Sequence, residues 1–266
     1  MHLLILKELK KPMSTHCFIP DIQAKYGEDF TFLRYIGTYI VEKKPDVVIC
    51  GGDFVDMESL SSYDVGKKSF EGKRYVKDIE AAHTAMDTLL QPIREFNAKA
   101  KRNKEKQYKP RFVLTLGNHE QRIQRAINDD PKLEGLIKYA DLPYQDWEVY
   151  DFLLPVFIDG VAYCHYFPTG VLGRPASTAS AMVSKLHMSC VAGHQQGKQV
   201  AYGKRPDGST ITCIIAGSCY EHNEGYLDHQ SNNHFRGIVM LHEVNNGTFD
   251  EMFVSLNYLR KKYAPT

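Results

Sequence analysis

The chain has 266 residues, of which 43% are hydrophobic and 24% are charged, so it can bury a sizeable core and is not a disordered protein. Its 33 basic and 32 acidic residues give a net charge of +1, which excludes a protein that covers nucleic acid through overall positive charge. Apolar runs are all shorter than the roughly 18 residues that a membrane-spanning helix needs.

The first half of the chain alternates strand-like and helix-like segments. Short apolar runs at 16–20, 46–50 and 112–116 predict buried strands, and each ends at a proline or just before a glycine. Between them, residues 28–43 and 73–97 carry apolar side chains at helical spacing. Strands that alternate with helices predict a parallel sheet with right-handed crossovers.

Beyond about residue 148 the pattern changes to strand-like runs separated by short turn signals. Asp-Gly occurs at 159–160 and 207–208, and Asn-Gly occurs at 246–247. These dipeptides favour tight hairpin turns, so we expect hairpins to build the second half, with one helix at 176–187. The absence of a long linker or a repeat predicts a single domain of residues 13–266.

Residues 1–12 are expected to form an extension outside this domain. They hold only four consecutive apolar residues and no small-residue cleavage site, so we do not expect a secretory signal. The six cysteines form no C-x-x-C pair, and several lie in apolar runs. This pattern is typical of buried, reduced thiols in a cytoplasmic protein.

The segment 99–111 stands apart because it contains seven basic side chains and one acid. It permits a nucleic-acid or phosphate contact, and it also fits the solvated end of a helix followed by a loop. Together with an expected helical and basic insertion at about 57–110, it would form a wall beside the functional crevice.

Polar side chains of the kind that bind metals follow each of the three predicted strands. Asp21 follows the first, Asp53 the second, and Asn118 and His119 the third. Because the carboxyl ends of parallel strands meet at one edge of a sheet, we expect these side chains to converge.

Two later strand-like runs end in imidazoles, at His165 and His194. Carboxylate, amide oxygen and imidazole together suit a borderline-to-hard divalent metal such as manganese, iron or zinc. Cysteine is absent from these positions, which argues against a soft thiolate site.

These motifs resemble those of the calcineurin-like metallophosphoesterases. They read D-I-Q at 21–23, G-D-F-V-D at 52–56, G-N-H-E at 117–120, H at 165 and G-H-Q-Q at 193–196. The segment from G-D-F-V-D-M-E-S-L-S-S-Y-D to L-N-Y-L-R-K-K-Y, residues 52–263, also looks like versions carried by bacteriophages. The resemblance implies an α/β fold, a four-layer α/β/β/α sandwich of two mixed sheets with metals between the sheet ends.

The resemblance implies two metals bridged by Asp53. The second metal would be completed by Asn118, His165 and His194, which all match the family pattern. The first metal would take Asp21 and Asp53 together with two positions at which the family usually has histidine.

Gln23 and Gln196 occupy those two positions, so both departures fall on the first metal. An amide oxygen is a neutral and harder ligand than imidazole and is weaker for zinc-like metals. We therefore expect a strong second site and a weak first site that prefers manganese or magnesium. Manganese is the expected metal overall, with magnesium, zinc, iron and nickel as alternatives. Other donors open to the first metal are Gln195, His222 and His229.

The resemblance also implies the roles of neighbouring residues. Metals would activate water for in-line attack on phosphorus, and His119 would protonate the leaving oxygen or stabilise the phosphoryl charge. Glu120 is expected to hold the His119 imidazole in one tautomer. Arg122 and Arg174 are candidates to bind a substrate phosphate, although surface salt bridges explain them equally well.

The sequence therefore predicts a metal-dependent phosphoesterase, with a phosphodiesterase or nuclease slightly favoured. A phosphomonoesterase acting on nucleotides or phosphoproteins is the alternative, and a binding module with weakened catalysis is a second. The expected partners are a phosphate-ester substrate, nucleic acid or nucleotide, with no membrane and with the oligomeric state left open. The expected location is the cytoplasm, or the host cytoplasm for a phage protein.

Overall fold

The computed structural model describes residues 13–62, 65–223 and 233–265. The predicted extension, residues 1–12, lies outside this part of the chain. The strands are β1 (Ser14–Ile19), β2 (Val47–Cys50), β3 (Arg111–Thr115), β4 (Glu148–Tyr150), β5 (Val156–Ile158), β6 (Val161–Cys164), β7 (Cys190–Ala192), β8 (Gln199–Lys204), β9 (Thr210–Ile215), β10 (Gly237–Asn245) and β11 (Thr248–Ser255). The α-helices are α1 (Thr31–Lys43), α2 (Tyr75–Arg102), α3 (Gln121–Asp129), α4 (Ala179–Leu186) and α5 (Leu256–Tyr263).

The first sheet has the strand order β11-β10-β1-β2-β3-β4. Strands β1 to β4 run parallel, and β10 pairs antiparallel with both β1 and β11. The three strands predicted in the first half are confirmed, with ends displaced by no more than two residues. Every residue of β2 is buried, as expected for a central parallel strand covered on both faces.

The second sheet has the order β5-β6-β7-β9-β8. The turns predicted at 159–160 and 207–208 do join antiparallel pairs, β5 with β6 and β8 with β9. The turn at 246–247 joins β10 to β11 in the first sheet instead. The expectation that hairpins alone build the second half is wrong, because β6, β7 and β9 run parallel.

Apolar side chains from both sheets meet between them. Phe18 and Ile49 of the first sheet belong to the same buried cluster as Tyr163, Val191 and Ile214 of the second. Helices α1, α2 and α5 contribute to a second buried cluster on the outer face of the first sheet, and α4 to a third cluster with the second sheet. These layers confirm the predicted α/β/β/α sandwich of two mixed sheets. All six cysteines are buried and free, as predicted.

The prediction that segment 99–111 forms a wall beside the crevice is wrong, because this segment lies elsewhere on the first sheet. Helix α2 extends to Arg102, five residues beyond its predicted end, and residue 111 opens β3. Tyr108 donates to the carbonyl of Pro45, which lies before β2. The segment 99–111 therefore lies at the amino edge of the first sheet, whereas the predicted crevice is at the carboxyl edge. Within the described residues, no helix is long and apolar enough to cross a membrane.

Candidate metal centre

The loops that follow the strands at the carboxyl edge are tied to one another by the backbone. Gln23 donates its N–H to the carbonyl of Asp53 at 2.8 Å, and His194 donates its N–H to Asp21 Oδ1 at 2.9 Å. Gly52 has a φ of +85°, and a Cβ there would lie 2.6 Å from the Gly117 nitrogen. A glycine at position 52 thus lets the loops after β2 and β3 approach each other.

Three of the candidate ligands have left-handed backbone conformations. The φ angles are +46° at Gln23, +48° at Asp53 and +67° at His194. Non-glycine residues in this region cost on the order of 1–3 kcal/mol each and cluster at functional sites. The chain therefore bends sharply at the positions that aim these side chains into the crevice.

The four residues predicted for the second metal lie together. His165 Nε2 is 2.9 Å from Asn118 Oδ1, 3.3 Å from Asp53 Oδ2 and 3.2 Å from His194 Nδ1. Its other nitrogen, Nδ1, is 2.8 Å from the carbonyl of Gly51 and donates to it. This bond leaves Nε2 as the ring nitrogen that faces two oxygens and the nitrogen of His194, an arrangement that a bound cation would stabilise.

Charges on neighbouring side chains shift the pKa values of Asp53, His165 and His194. Burial raises the pKa of Asp53, but His119 and His165 outweigh burial and hold that pKa below its usual range. Burial lowers the pKa of His165, but Asp53 outweighs burial and raises the pKa to about 9. Burial and the neighbouring His165 lower the pKa of His194 to about 4. The carboxylate therefore holds a positive charge beside it, the role that a bound metal ion would take over.

The residues predicted for the first metal leave two buried oxygens without hydrogen-bond partners. These are Asp21 Oδ2 and Gln23 Oε1, on residues that are 0% and 3% exposed. Burial raises the pKa of Asp21 to about 7. Unpartnered buried acceptors are costly, and a cation held by Asp21 and Gln23 would remove that cost. The donors present at this site thus fit a metal.

Gln196 differs from Gln23 because its side-chain oxygen already has a donor. Tyr220 donates its hydroxyl to Gln196 Oε1 at 2.6 Å, and no sequence motif pointed to Tyr220. Of the alternative donors, Gln195 bonds the carbonyl of Ala176, and the ring of His222 stacks on that of Tyr220 at 4.3 Å. His229 lies outside the described residues.

His119 is held by an aspartate of the G-D-F-V-D motif. Its Nδ1 is 2.5 Å from Asp56 Oδ1, and its Nε2 is 3.7 Å from Asp53 Oδ2. Burial lowers the pKa of His119, but Asp53 and Asp56 outweigh burial and raise it. Asp56 also pairs with Lys25 at 3.1 Å. The imidazole is therefore fixed with its Nε2 edge toward the metal ligands.

The prediction that Glu120 holds the His119 imidazole is wrong. The Glu120 carboxylate accepts backbone N–H groups of Asp53, Phe54 and Gly117 at 2.8–2.9 Å, and the hydroxyl of Tyr144 at 2.9 Å. Glu120 is fully buried, and burial raises its pKa. Its function is to join the loops after β2 and β3 beneath the ligands.

Replacing Glu120 with alanine is expected to lower the free energy of unfolding by at least about 3 kcal/mol, because three buried N–H groups lose their acceptor. Tyr144→Phe removes one neutral donor and is expected to cost about 1 kcal/mol. Urea denaturation measures both values. An alanine variant as stable as the wild-type protein would show that Glu120 is not the structural tie.

The two predicted phosphate-binding arginines are placed differently. Arg122 is 13% exposed at its side chain and donates to the carbonyls of Asp56 and Met57 at 2.7 and 3.2 Å. Arg174 is exposed on the connection between β6 and α4. A third arginine, Arg125, donates to the carbonyl of Asn118 at 2.9 Å.

Comparison with protein-family models matches residues 15–169, more than half of the chain, to the calcineurin-like phosphoesterases. No curated protein matches the chain. Among solved structures, the chain is similar to a conserved uncharacterized protein, a predicted phosphoesterase, of Streptococcus pneumoniae. The identity is 11%, the match covers 92% of this chain and 99% of that one, and the TM-score is 0.34. It is also similar to a dimetal phosphatase of Danio rerio, with 12% identity, 92% and 100% coverage, and a TM-score of 0.39.

Proposed function

The chain belongs to the calcineurin-like phosphoesterase family and is a metal-dependent phosphoesterase, and from this premise we propose that its substrates are phosphodiesters, above all those of nucleic acids. The observation that carries the proposal is the convergence of Asp53, His165 and His194, whose ligand atoms all lie within 4.8 Å of one another, with Asn118 Oδ1 2.9 Å from His165 Nε2. The resemblance of segment 52–263 to versions carried by bacteriophages supports the cytoplasm of an infected host as the proposed place of action.

The residues of the centre have separable tasks in this proposal. Divalent metals bound there supply an activated water and neutralise charge on the phosphoryl oxygens. Asp53, with Asn118, His165 and His194, holds the second metal. His119 donates a proton from Nε2 to the leaving oxygen, and Asp56 keeps the imidazole oriented for that transfer.

The placement of Arg122 supports a diester over a monoester. Arg122 already donates to the carbonyls of Asp56 and Met57 and is mostly buried. A phosphate monoester carries a charge of about −1.5 to −2 and benefits from guanidinium partners with open donors. A diester carries one negative charge, which the metals and His119 balance.

Hydrolysis of bis-p-nitrophenyl phosphate and of p-nitrophenyl phosphate, each with manganese, magnesium, zinc and EDTA, tests the proposal. We expect diester hydrolysis that requires metal and is fastest with manganese. Faster hydrolysis of the monoester would make the protein a phosphomonoesterase. A lack of hydrolysis with every metal would favour a binding module instead.

The first metal is proposed to bind weakly through Asp21, Gln23 and the bridging Asp53. We expect calorimetric titration of the wild-type protein with zinc to show one tight and one weak site. Gln23→His should tighten the weak site by at least about tenfold, because imidazole is the better ligand for zinc. Gln195→His, next to the centre but bonded to Ala176, is the matched control and should leave both sites unchanged.

Two results would contradict this assignment. If anomalous diffraction shows that zinc fills both sites equally and fully in the wild-type protein, the first site is not weak. Equal titration curves for Gln23→His and the wild-type protein would show that residue 23 is not a ligand.

A further inference from the structure

The segment 99–111, here called the basic loop, concentrates the positive charge of the protein far from the metal centre. It carries seven basic residues and one acid, a net charge of +6. Since the whole chain carries +1, the remaining residues together carry −5. Overall neutrality therefore conceals a strongly polarised distribution of charge.

Hydrogen bonds hold the backbone of the basic loop. Asn97 and Tyr108 form a reciprocal pair, in which the Asn97 amide donates to the Tyr108 carbonyl and accepts the Tyr108 N–H, both at 2.8 Å. The Tyr108 hydroxyl donates to the carbonyl of Pro45 at 2.7 Å. Glu105 donates its N–H to the carbonyl of Ala100 at 2.8 Å, which closes the end of α2. A ligand thus meets a preorganised surface, which lowers the entropic cost of binding.

Three lysines of the loop line a concavity, and none of the loop's lysines has an acidic partner among the residues that the structure describes. The concavity has a volume of about 480 Å³ and is lined by Lys101, Lys104, Glu105, Gln107 and Lys109. Among the residues that the structure describes, Arg111 is the only cation of the loop with an ion pair, which it forms with Glu148 at 2.7 Å. Lysines in the last turn of α2 also interact favourably with the helix dipole, whereas Lys109 lies seven residues beyond the end of that helix.

We propose that the basic loop binds the phosphate backbone of a nucleic acid whose scissile bond lies at the metal centre. The choice of nucleic acid over an acidic protein rests on the proposed phosphodiesterase function. Strand β3 separates the two sites, and its five residues span about 16 Å at about 3.3 Å each. This length corresponds to about five base steps of about 3.4 Å, so a polynucleotide that follows the surface from one site to the other must be longer than about five nucleotides.

Binding is measured by fluorescence anisotropy with a labelled 30-nucleotide single-stranded DNA in EDTA, where no turnover is expected. The test variant replaces Lys101, Lys104 and Lys109 with glutamate. The matched control replaces three exposed lysines elsewhere, Lys132, Lys204 and Lys261, with glutamate. It therefore changes the net charge by the same amount as the test variant. Urea denaturation establishes that both variants are folded.

We expect the test variant to bind at least tenfold more weakly than the control at low salt. The plot of log affinity against log salt has a negative slope, and its magnitude should decrease by about 2. Three phosphate contacts are lost, and each contact to a single strand contributes about 0.7. Hydrolysis of bis-p-nitrophenyl phosphate should be unchanged, because that substrate is too small to reach the loop. Equal affinities of the two variants, or tighter binding of polyglutamate than of DNA, would overturn the proposal. Binding in EDTA is independent of turnover, so a failure of the proposed hydrolysis is recognised separately.

Discussion

Asp53→Asn is expected to lower kcat/KM for a phosphodiester by at least about a thousandfold. Asp53 is 1% exposed, lies 3.3 Å from His165 Nε2 and is the proposed ligand shared by both metals. Metal ions supply several kcal/mol of charge stabilisation in the transition state, and about 4 kcal/mol corresponds to a factor of about a thousand. Asparagine is neutral and offers one oxygen, so metal binding should weaken at both sites.

Calorimetric metal titration distinguishes this effect from a loss of folding. Asp53→Asn should lose the tight site while its unfolding transition without metal stays cooperative. Asp87→Asn is the matched control, because Asp87 is exposed on α2 and pairs only with Arg94 among the described residues. A variant at position 53 that retains wild-type activity would exclude Asp53 as the shared ligand.

His119→Ala is expected to lower kcat by about 10² to 10⁴ while metal titration stays unchanged, because His119 is proposed to donate a proton and not to bind metal. The expected loss depends on the leaving group. Nitrophenolate leaves without protonation, whereas the alkoxide that leaves a dinucleotide needs a proton. The kcat of His119→Ala should therefore fall less for bis-p-nitrophenyl phosphate than for a dinucleotide.

Two control variants test whether the effect is specific to His119 and whether it depends on the orientation of the His119 imidazole. His83→Ala, on the exposed face of α2, should leave kcat unchanged. Asp56→Asn keeps the size of the side chain that contacts His119 Nδ1 and should lower kcat less than His119→Ala does. Equal losses for both substrates in His119→Ala would show that this residue acts on phosphoryl charge rather than as the proton donor.

Local sequence patterns encode some elements of this fold and leave others to contacts between distant segments. Strands β1 to β3 and the three hairpin turns are encoded by local apolar periodicity and by short turn dipeptides, and they were found within two residues. The parallel pairing of β6, β7 and β9 was missed because it joins segments that are 20 or more residues apart. Turn dipeptides predict the pairing of strands that are consecutive in the chain and carry no information about strands that are further apart.

The candidate site shows the same division. Asp53, Asn118, His165 and His194 were expected from their motifs, and the structure brings them together. Adjacency in the chain predicts that Glu120 contacts His119, but the Glu120 carboxylate accepts backbone N–H groups 66 and 67 residues earlier and the hydroxyl of Tyr144. Tyr220, which bonds Gln196, belongs to no motif.

The sequence by itself determined the types of donor, their order along the chain and the strand ends on which they lie, because these properties depend on residue identity and local pattern. Only the tertiary structure decided which acceptors are left without donors and where the basic loop lies. Those outcomes depend on the pairing of strands that are distant along the chain. That pairing buries Asp21 Oδ2 and Gln23 Oε1 unpartnered at the carboxyl edge, and it places the lysines at the opposite edge of the same sheet.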